Sequence, residues 1–207
     1  MLLTKKTKFS VSESQIKEDV LSKDGILLLK INVKYPDIVC AKDDCLARYA
    51  KKFYADVSKA FVDFAKTELA KRALNSYNTD KDGFLPYSAL MKYDVTLLSK
   101  DYLSVMFDLS VSDGKEILSV EKKTQVWERK NGTKCRCIDF LNKQEIDDVA
   151  KQSGIKQIDS DLFVLREDGL EFFVKKENKY FSFQFSDKVC KLKQTERNEV
   201  IFDKKRA

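Results

Sequence analysis

The stretch from about Asp44 to about Ser76 contains no proline and no glycine, and it constrains the rest of the chain more than any other segment. Leu46, Tyr49, Phe53, Val57, Phe61, Phe64 and Leu69 recur in steps of three, four or five. Most of that spacing follows one face of a 3.6-residue helix. Lys51, Lys52, Asp56, Lys59, Asp63, Lys66 and Arg72 take the opposite face. Asp56 with Lys59, Asp63 with Lys66 and Glu68 with Arg72 stand at helical neighbour distances. Asp43 and Asp44 are suited to cap the first turn, and nothing in the stretch obliges a kink. Such a helix would be roughly 50 Å long and would need a sheet or other helices to cover its apolar stripe.

The flanking patterns supply that sheet. Leu27, Leu29, Ile31, Val33 and Tyr35 alternate behind a Lys23-Asp24-Gly25 turn, giving a half-buried antiparallel strand that Pro36 should stop. Beyond the helix the period changes to two. Tyr93, Val95 and Leu97 share a face, Ser99-Lys100-Asp101 turns, and Leu103, Val105, Phe107, Leu109 and Val111 alternate against Tyr102, Ser104, Asp108 and Ser110. Asp113-Gly114 and Asn131-Gly132 are further hairpin signals, around a strand from Ile117 to Glu128. Asn142 to Gln152 reads as a short helix capped by Asn142, with Ile146 and Val149 buried and Gly154 past its end. Asp168-Gly169 and a turn near Asn178 then separate Leu162–Val164, Leu170–Val174 and Phe181–Phe185. The expected fold is α+β: a long amphipathic helix on an antiparallel meander of hairpins, with a second short helix. The 207 residues form one domain, or closely packed subdomains at 1–85 and 86–207.

Composition narrows the function classes. The 39 basic residues are interleaved with 33 acidic ones, so the net charge of +6 is spread over the surface. A nucleic-acid protein more often concentrates its basic residues on one face. Lys175, Lys176, Lys179 and Tyr180 precede Phe181-x-Phe183-x-Phe185, a pattern that could stack bases on an exposed sheet. The alternation instead favours Phe181, Phe183 and Phe185 inward and Tyr180, Ser182 and Gln184 outward, so nucleic acid is not expected as a partner. The start, Met-Leu-Leu-Thr-Lys-Lys, lacks a signal-length apolar run, and no window approaches a membrane span. As written, the chain is expected to be cytoplasmic.

Without a histidine, Ser-His-Asp, Cys-His and His-metal chemistry are unavailable. No P-loop or G-x-G-x-x-G is present, and no carboxylate pair stands out from an apolar setting. A non-catalytic protein without a cofactor is expected. The five cysteines, Cys40, Cys45, Cys135, Cys137 and Cys190, cannot all pair, and Cys135-Arg136-Cys137 lacks a zinc spacing. Reduced structural thiols are the expectation. Asn131-Gly132-Thr133 matches a glycosylation sequon, which the hairpin turn explains.

The sharpest local motif is Asn78-Thr79-Asp80-Lys81-Asp82-Gly83-Phe84-Leu85. Asn78, Asp80 and Asp82 at the first, third and fifth positions, Gly83 at the sixth and the backbone of Phe84 at the seventh match a calcium-binding EF-hand loop. The twelfth position, which should be a bidentate Glu, is Ala89, and Pro86 stands at the ninth. The competing reading, and the one expected, is a polar Asx-type turn with Gly83 at a positive φ that stops the helix.

Several short motifs in order also carry a family resemblance. Ile31-Asn32-Val33-Lys34-Tyr35-Pro36, Tyr102-Leu103-Ser104-Val105-Met106-Phe107, Arg129 to Lys134, Ile138-Asp139-Phe140-Leu141 and Phe163 to Phe172 follow one another between Ile26 and Phe185. This order resembles a bacterial family of unknown-function domains. That family forms the extracytoplasmic part of RsiV-like, lysozyme-binding anti-sigma factors and the non-catalytic N-terminal part of some peptidoglycan deacetylases. The resemblance implies a long helix on antiparallel sheet and a non-catalytic binding or sensor-like role. It implies a protein or cell-wall glycan as partner and an extracytoplasmic location if a leader has been removed. An intracellular protein-interaction domain is the alternative, ahead of a hydrolase-type enzyme working without histidine.

Overall fold

The structure is a computed structural model, and it describes residues 9–39, 45–152, 161–176, 179–186 and 201–203. Cys40, Asp43, Asp44, Gly154, Asn178, Cys190 and most of the tail beyond Ser186 lie outside the described residues, as do the side chains of Cys45, Val149, Phe183 and Phe185. The fold is α+β. A six-stranded sheet has the order β1 (Ser10–Leu21), β2 (Leu27–Val39), β3 (Tyr87–Leu98), β4 (Tyr102–Ser112), β5 (Ile117–Glu128), β6 (Thr133–Cys135), and a four-stranded sheet the order β10 (Ile201–Asp203), β9 (Lys179–Ser186), β8 (Gly169–Lys176), β7 (Phe163–Arg166). The chain divides into two compact units, one of residues up to Tyr93 with Phe107–Glu121, the other of Asp94–Met106 with residues from Lys122 onward.

In the first unit β1 (Ser10–Leu21) and β2 (Leu27–Val39) form an antiparallel hairpin. Its turn closes when the Ser22 amide donates to the Ile26 carbonyl at 2.8 Å, with Gly25 at a φ of +80°. β2 does not stop at Pro36, which lies opposite Glu13 in the β1 register, and the strand continues to Val39. β2 pairs with β3 (Tyr87–Leu98) only from Leu29 to Val33. Pro36 lies beyond the Leu29–Val33 stretch that pairs with β3, where β2 has only its β1 neighbour and a missing amide is more readily tolerated.

The β2–β3 pair is parallel, which the hairpin-rich sequence did not suggest. Parallel neighbours need a long crossover, and the long helix provides it. That helix runs from Cys45 to Thr79 as α1 (Cys45–Phe64), a π turn (Ala65–Leu69) and α2 (Ala70–Thr79). The Ala70 amide reaches back to the Ala65 carbonyl, five residues earlier. The five-residue step from Phe64 to Leu69 falls on this turn, so the helix does contain a register defect although neither proline nor glycine imposes one.

The buried face of the helix also differs from the sequence expectation. Leu46, Ala50, Tyr54, Ser58, Val62, Ala65, Leu69 and Ala73 are buried, whereas Tyr49 is 55% and Phe64 41% exposed. Small residues let the helix approach the sheet closely, yet they add little to a hydrophobicity pattern. Phe53, Val57 and Phe61 flank the seam half-buried. Ser58 satisfies its buried hydroxyl by donating to the Tyr54 carbonyl at 2.8 Å. The Tyr54 ring lies 5.5 Å from that of Phe107 on β4 (Tyr102–Ser112). Lys66 pairs with Glu18 of β1, and Lys51 with Asp37 of β2 at 3.0 Å. These exposed pairs are worth about 0–1 kcal/mol each.

The second unit takes up β5 (Ile117–Glu128) from Lys122 onward, and the strand turns at Gly132 into the short β6 (Thr133–Cys135). A 3₁₀ turn (Cys137–Asp139) and α3 (Lys143–Gln152) follow. The α3 cap is reciprocal: the Glu145 amide donates to Asn142 Oδ1 at 2.9 Å, and the Asn142 amide to Glu145 Oε2 at 2.6 Å. Strands β7 (Phe163–Arg166), β8 (Gly169–Lys176) and β9 (Lys179–Ser186) form antiparallel neighbours, with β10 (Ile201–Asp203) beyond β9. Tyr102, Val126, Cys135, Cys137, Phe140, Phe163 and Phe172 share one core cluster.

Ser104 is fully buried, not outward as the alternation suggested. Its hydroxyl accepts the Leu165 amide at 3.0 Å and the Thr96 hydroxyl at 2.8 Å. Thr124 likewise accepts the Phe163 amide at 3.1 Å and donates to the Asp161 carbonyl at 3.0 Å. On edge strand β7 the amides of Phe163 and Leu165 are thus satisfied by side-chain hydroxyls rather than by another strand.

Candidate functional site

The C-terminal end of the long helix, the loop after it and the β4–β5 hairpin tip enclose a cleft of about 360 Å³. All of its lining residues belong to the first unit. Asn75, Ser76 and Thr79 come from α2, Asp80, Gly83, Phe84 and Leu85 from the loop, Tyr87 from the start of β3, and Asp113 and Lys115 from the hairpin.

Each wall is fixed locally. Asp80 Oδ1 accepts the Gly83 amide at 2.9 Å in an Asx-type turn just past the helix, but Gly83 does not take the expected positive φ, because the side-chain bond closes the turn without it. Asp113 Oδ1 accepts the Lys115 amide at 2.9 Å and the Glu116 amide at 2.8 Å. The Glu116 and Lys115 amides hold the Asp113 carboxyl below its ordinary range. The Phe84 ring stacks on Tyr87 at 6.5 Å and meets the edge of Tyr77 at 5.4 Å. The Tyr87 and Ser76 hydroxyls share a 3.0 Å hydrogen bond, tying β3 to the helix. Lys81 Nζ lies 5.6 Å over the Tyr77 ring.

The calcium-loop residues are placed by the same geometry. Asp80 and Phe84 line the cleft, whereas Asn78 and Asp82 are exposed beside it. Ala89, at the twelfth position, is fully buried in β3 opposite Ile31. Asp113 was visible in the sequence only as a turn residue, and nothing singled out Lys115. Nothing local could have joined them to Asp80, because the strands that bring the turns together lie between them. Among the described residues no three Cys, Asp or Glu side chains converge to hold a metal ion.

The cysteines of the second unit behave as core residues. Cys135 and Cys137 are buried thiols in the same cluster, although the strand ends at Cys135 and the 3₁₀ turn carries Cys137 inward. Burial, with lesser contributions from Asp161, Asp139 and Glu145, pushes the Cys137 thiol up to about 12. A thiol held neutral is a poor nucleophile and metal ligand.

The aromatic strand β9 is arranged differently from expectation. Phe181 is 36% exposed, while Tyr180 is half-buried and its hydroxyl accepts the Lys122 amide at 3.0 Å. Lys122 Nζ lies 5.0 Å over Phe173 and 5.8 Å over Tyr180, and Lys175 Nζ lies 5.7 Å over Tyr180. These cation–π contacts and the hydroxyl bond draw Tyr180 inward; Phe181 sits opposite Val174 near the end of the β8–β9 ladder. No helix among the described residues is long and apolar enough to cross a membrane.

With this geometry in hand, solved structures give the relevant comparison. The fold is that of DUF3298 proteins. One such protein from Bacteroides fragilis superposes with a TM-score of 0.57 at 13% identity, covering 87% of this chain and 91% of its own. A DUF3298 protein from Pseudomonas aeruginosa gives a TM-score of 0.47 at 12% identity, over 86% of this chain and 88% of its own. No protein-family profile matches the sequence, and no curated protein matches it. The bacterial unknown-function domain suggested by the ordered motifs is thus supported at the level of fold.

Proposed function

We propose that this chain is a non-catalytic binding or sensor-like domain whose ligand is a protein or glycan of the cell envelope, and that the cleft at the end of the long helix is where the ligand engages. One observation carries this reading: the cleft combines hydroxyl, amide and carboxylate groups with an aromatic stack. The described lining offers no nucleophile held by a base, as covalent chemistry would require. Asp80 and Asp113 each commit one carboxylate oxygen to backbone amides, which suits rigid recognition better than proton transfer. The test is a pull-down and thermal-shift series on the full chain with lysozyme and with soluble peptidoglycan fragments. Retention or a raised Tm with either supports the proposal. The absence of interaction with both overturns it.

A further inference from the structure

We infer that the cleft is a subsite for a pyranose ring of an uncharged glycan, a conclusion that rests on the binding-domain reading above. Size is the first argument. A volume of about 360 Å³ stands at the low end of the range for compact ligands, roughly 300–1,000 Å³. A stable protein partner instead covers an area of about 1,000 Å² or more, which a cleft of these few residues does not offer.

The polar complement is the second argument. Backbone amides hold Oδ1 of Asp80 and Oδ1 of Asp113, and each carboxylate keeps acceptor capacity beyond those bonds. Carboxylates fixed in this way accept hydroxyl protons without a further ordering cost. Asn75 can donate and accept, and Lys115 can donate, so the lining matches a ligand whose edge is made of hydroxyl groups. Phe84 is half-buried and lines the same space, offering apolar surface to the C–H face of a sugar ring.

Charge is the third argument. Asp80 and Asp113 face Lys115 in the cleft, with Asp82 and Lys81 beside it, so charges of both signs alternate and one negative charge is left over. The small net field offsets little of the desolvation that an ionised ligand must undergo here, whereas an uncharged one has no charge to desolvate.

The experiment is a calorimetric titration of the full chain with the trisaccharide of N-acetylglucosamine, its fully de-N-acetylated cationic counterpart, and lysozyme. The expected result is saturable binding of the acetylated trisaccharide, weaker binding of the cationic one, and at least a tenfold loss of affinity in Phe84→Leu and Asp113→Ala. Glu167→Gln in the second unit should bind as the parent does, and circular dichroism should show each variant folded. If Phe84→Leu does not fold, Asn75→Ala replaces it with the same expected loss. Tighter binding of the cationic sugar, or saccharide binding unaffected by the cleft variants, overturns the inference. Binding of lysozyme without either saccharide overturns it while leaving the binding-domain reading intact. If none of the probes binds, both fail.

Discussion

Gly114 at the tip of the β4–β5 hairpin is packed directly against Leu85 of the loop that ends the long helix. A Cβ built on Gly114 would lie 2.5 Å from Leu85 Cβ and 2.9 Å from the Pro86 carbonyl oxygen. Gly114 also has a φ of +88°, so both its backbone and its missing side chain are required. This contact joins two walls of the cleft that are far apart in sequence.

Gly114→Ala should therefore destabilise the protein by about 2–4 kcal/mol, combining positive-φ strain with a contact that must give way. Gly25→Ala is the matched control, since Gly25 has a φ of +80° but no atom within 4 Å of a built Cβ. Its cost should be about 1 kcal/mol, from the backbone alone. Urea unfolding of both variants checks the difference. Equal costs would mean the hairpin tip is not held against Leu85.

The π turn makes a deletion experiment informative. A π turn spends one more residue per turn than an α turn, so removing exposed Glu68 should let the helix continue as regular α with Leu69 and Ala73 still facing the sheet. The expected loss is about 1 kcal/mol or less, within the range of surface changes. Removing exposed Asp56 from regular α1 should instead rotate one flank of the helix by about 100° relative to the other. That would displace part of the seam containing Tyr54, Val62, Ala65 and Leu69, and the chain should fail to fold. Thermal melts of the two deletions decide the matter, and similar losses would refute the register argument.

Cys137 should impose a pH dependence at alkaline pH. Its folded thiol titrates at about 12, whereas an unfolded cysteine titrates near 8.5. Because the folded value is raised, the folded state holds its proton through this window while the unfolded state releases its own. The stability contribution is therefore complete below about pH 8.5 and is lost as pH rises toward 12. The slope should approach 1.4 kcal/mol per pH unit within the window, and Cys137→Ala should remove it. Urea midpoints measured from pH 7 to pH 10 provide the check. An unchanged slope in the alanine variant would place the titration elsewhere.

Local chemistry was legible in the sequence wherever neighbours along the chain settle the outcome. Gly25, Gly114 and Gly132 all adopt positive φ at the turns their sequences announce. Asn142 caps α3 through the reciprocal bond with Glu145 that its spacing implies. Asp80 ends the long helix by accepting the Gly83 amide. Where partners are remote, the reading failed for stated reasons. Bulky Tyr49 and Phe64 dominated the helical pattern, but Ala50, Ala65 and Ala73 occupy the seam because close approach to the sheet favours small side chains. Ser104 looked solvent-facing until the Leu165 amide and the Thr96 hydroxyl were found bonded to it.

The sequence by itself determined that this chain forms one long helix, a series of hairpins and a polar stop after Thr79, because capping, turn conformation and periodicity act over a few residues. The tertiary structure alone decided that β2 and β3 run parallel, that the helix takes a π turn at Ala65–Leu69, and that Asp113 faces the same cleft as Asp80. The first and the last of these depend on strand register between segments distant in sequence. Register is set by which side chains fit together across the sheet, and a one-dimensional pattern does not contain that fit.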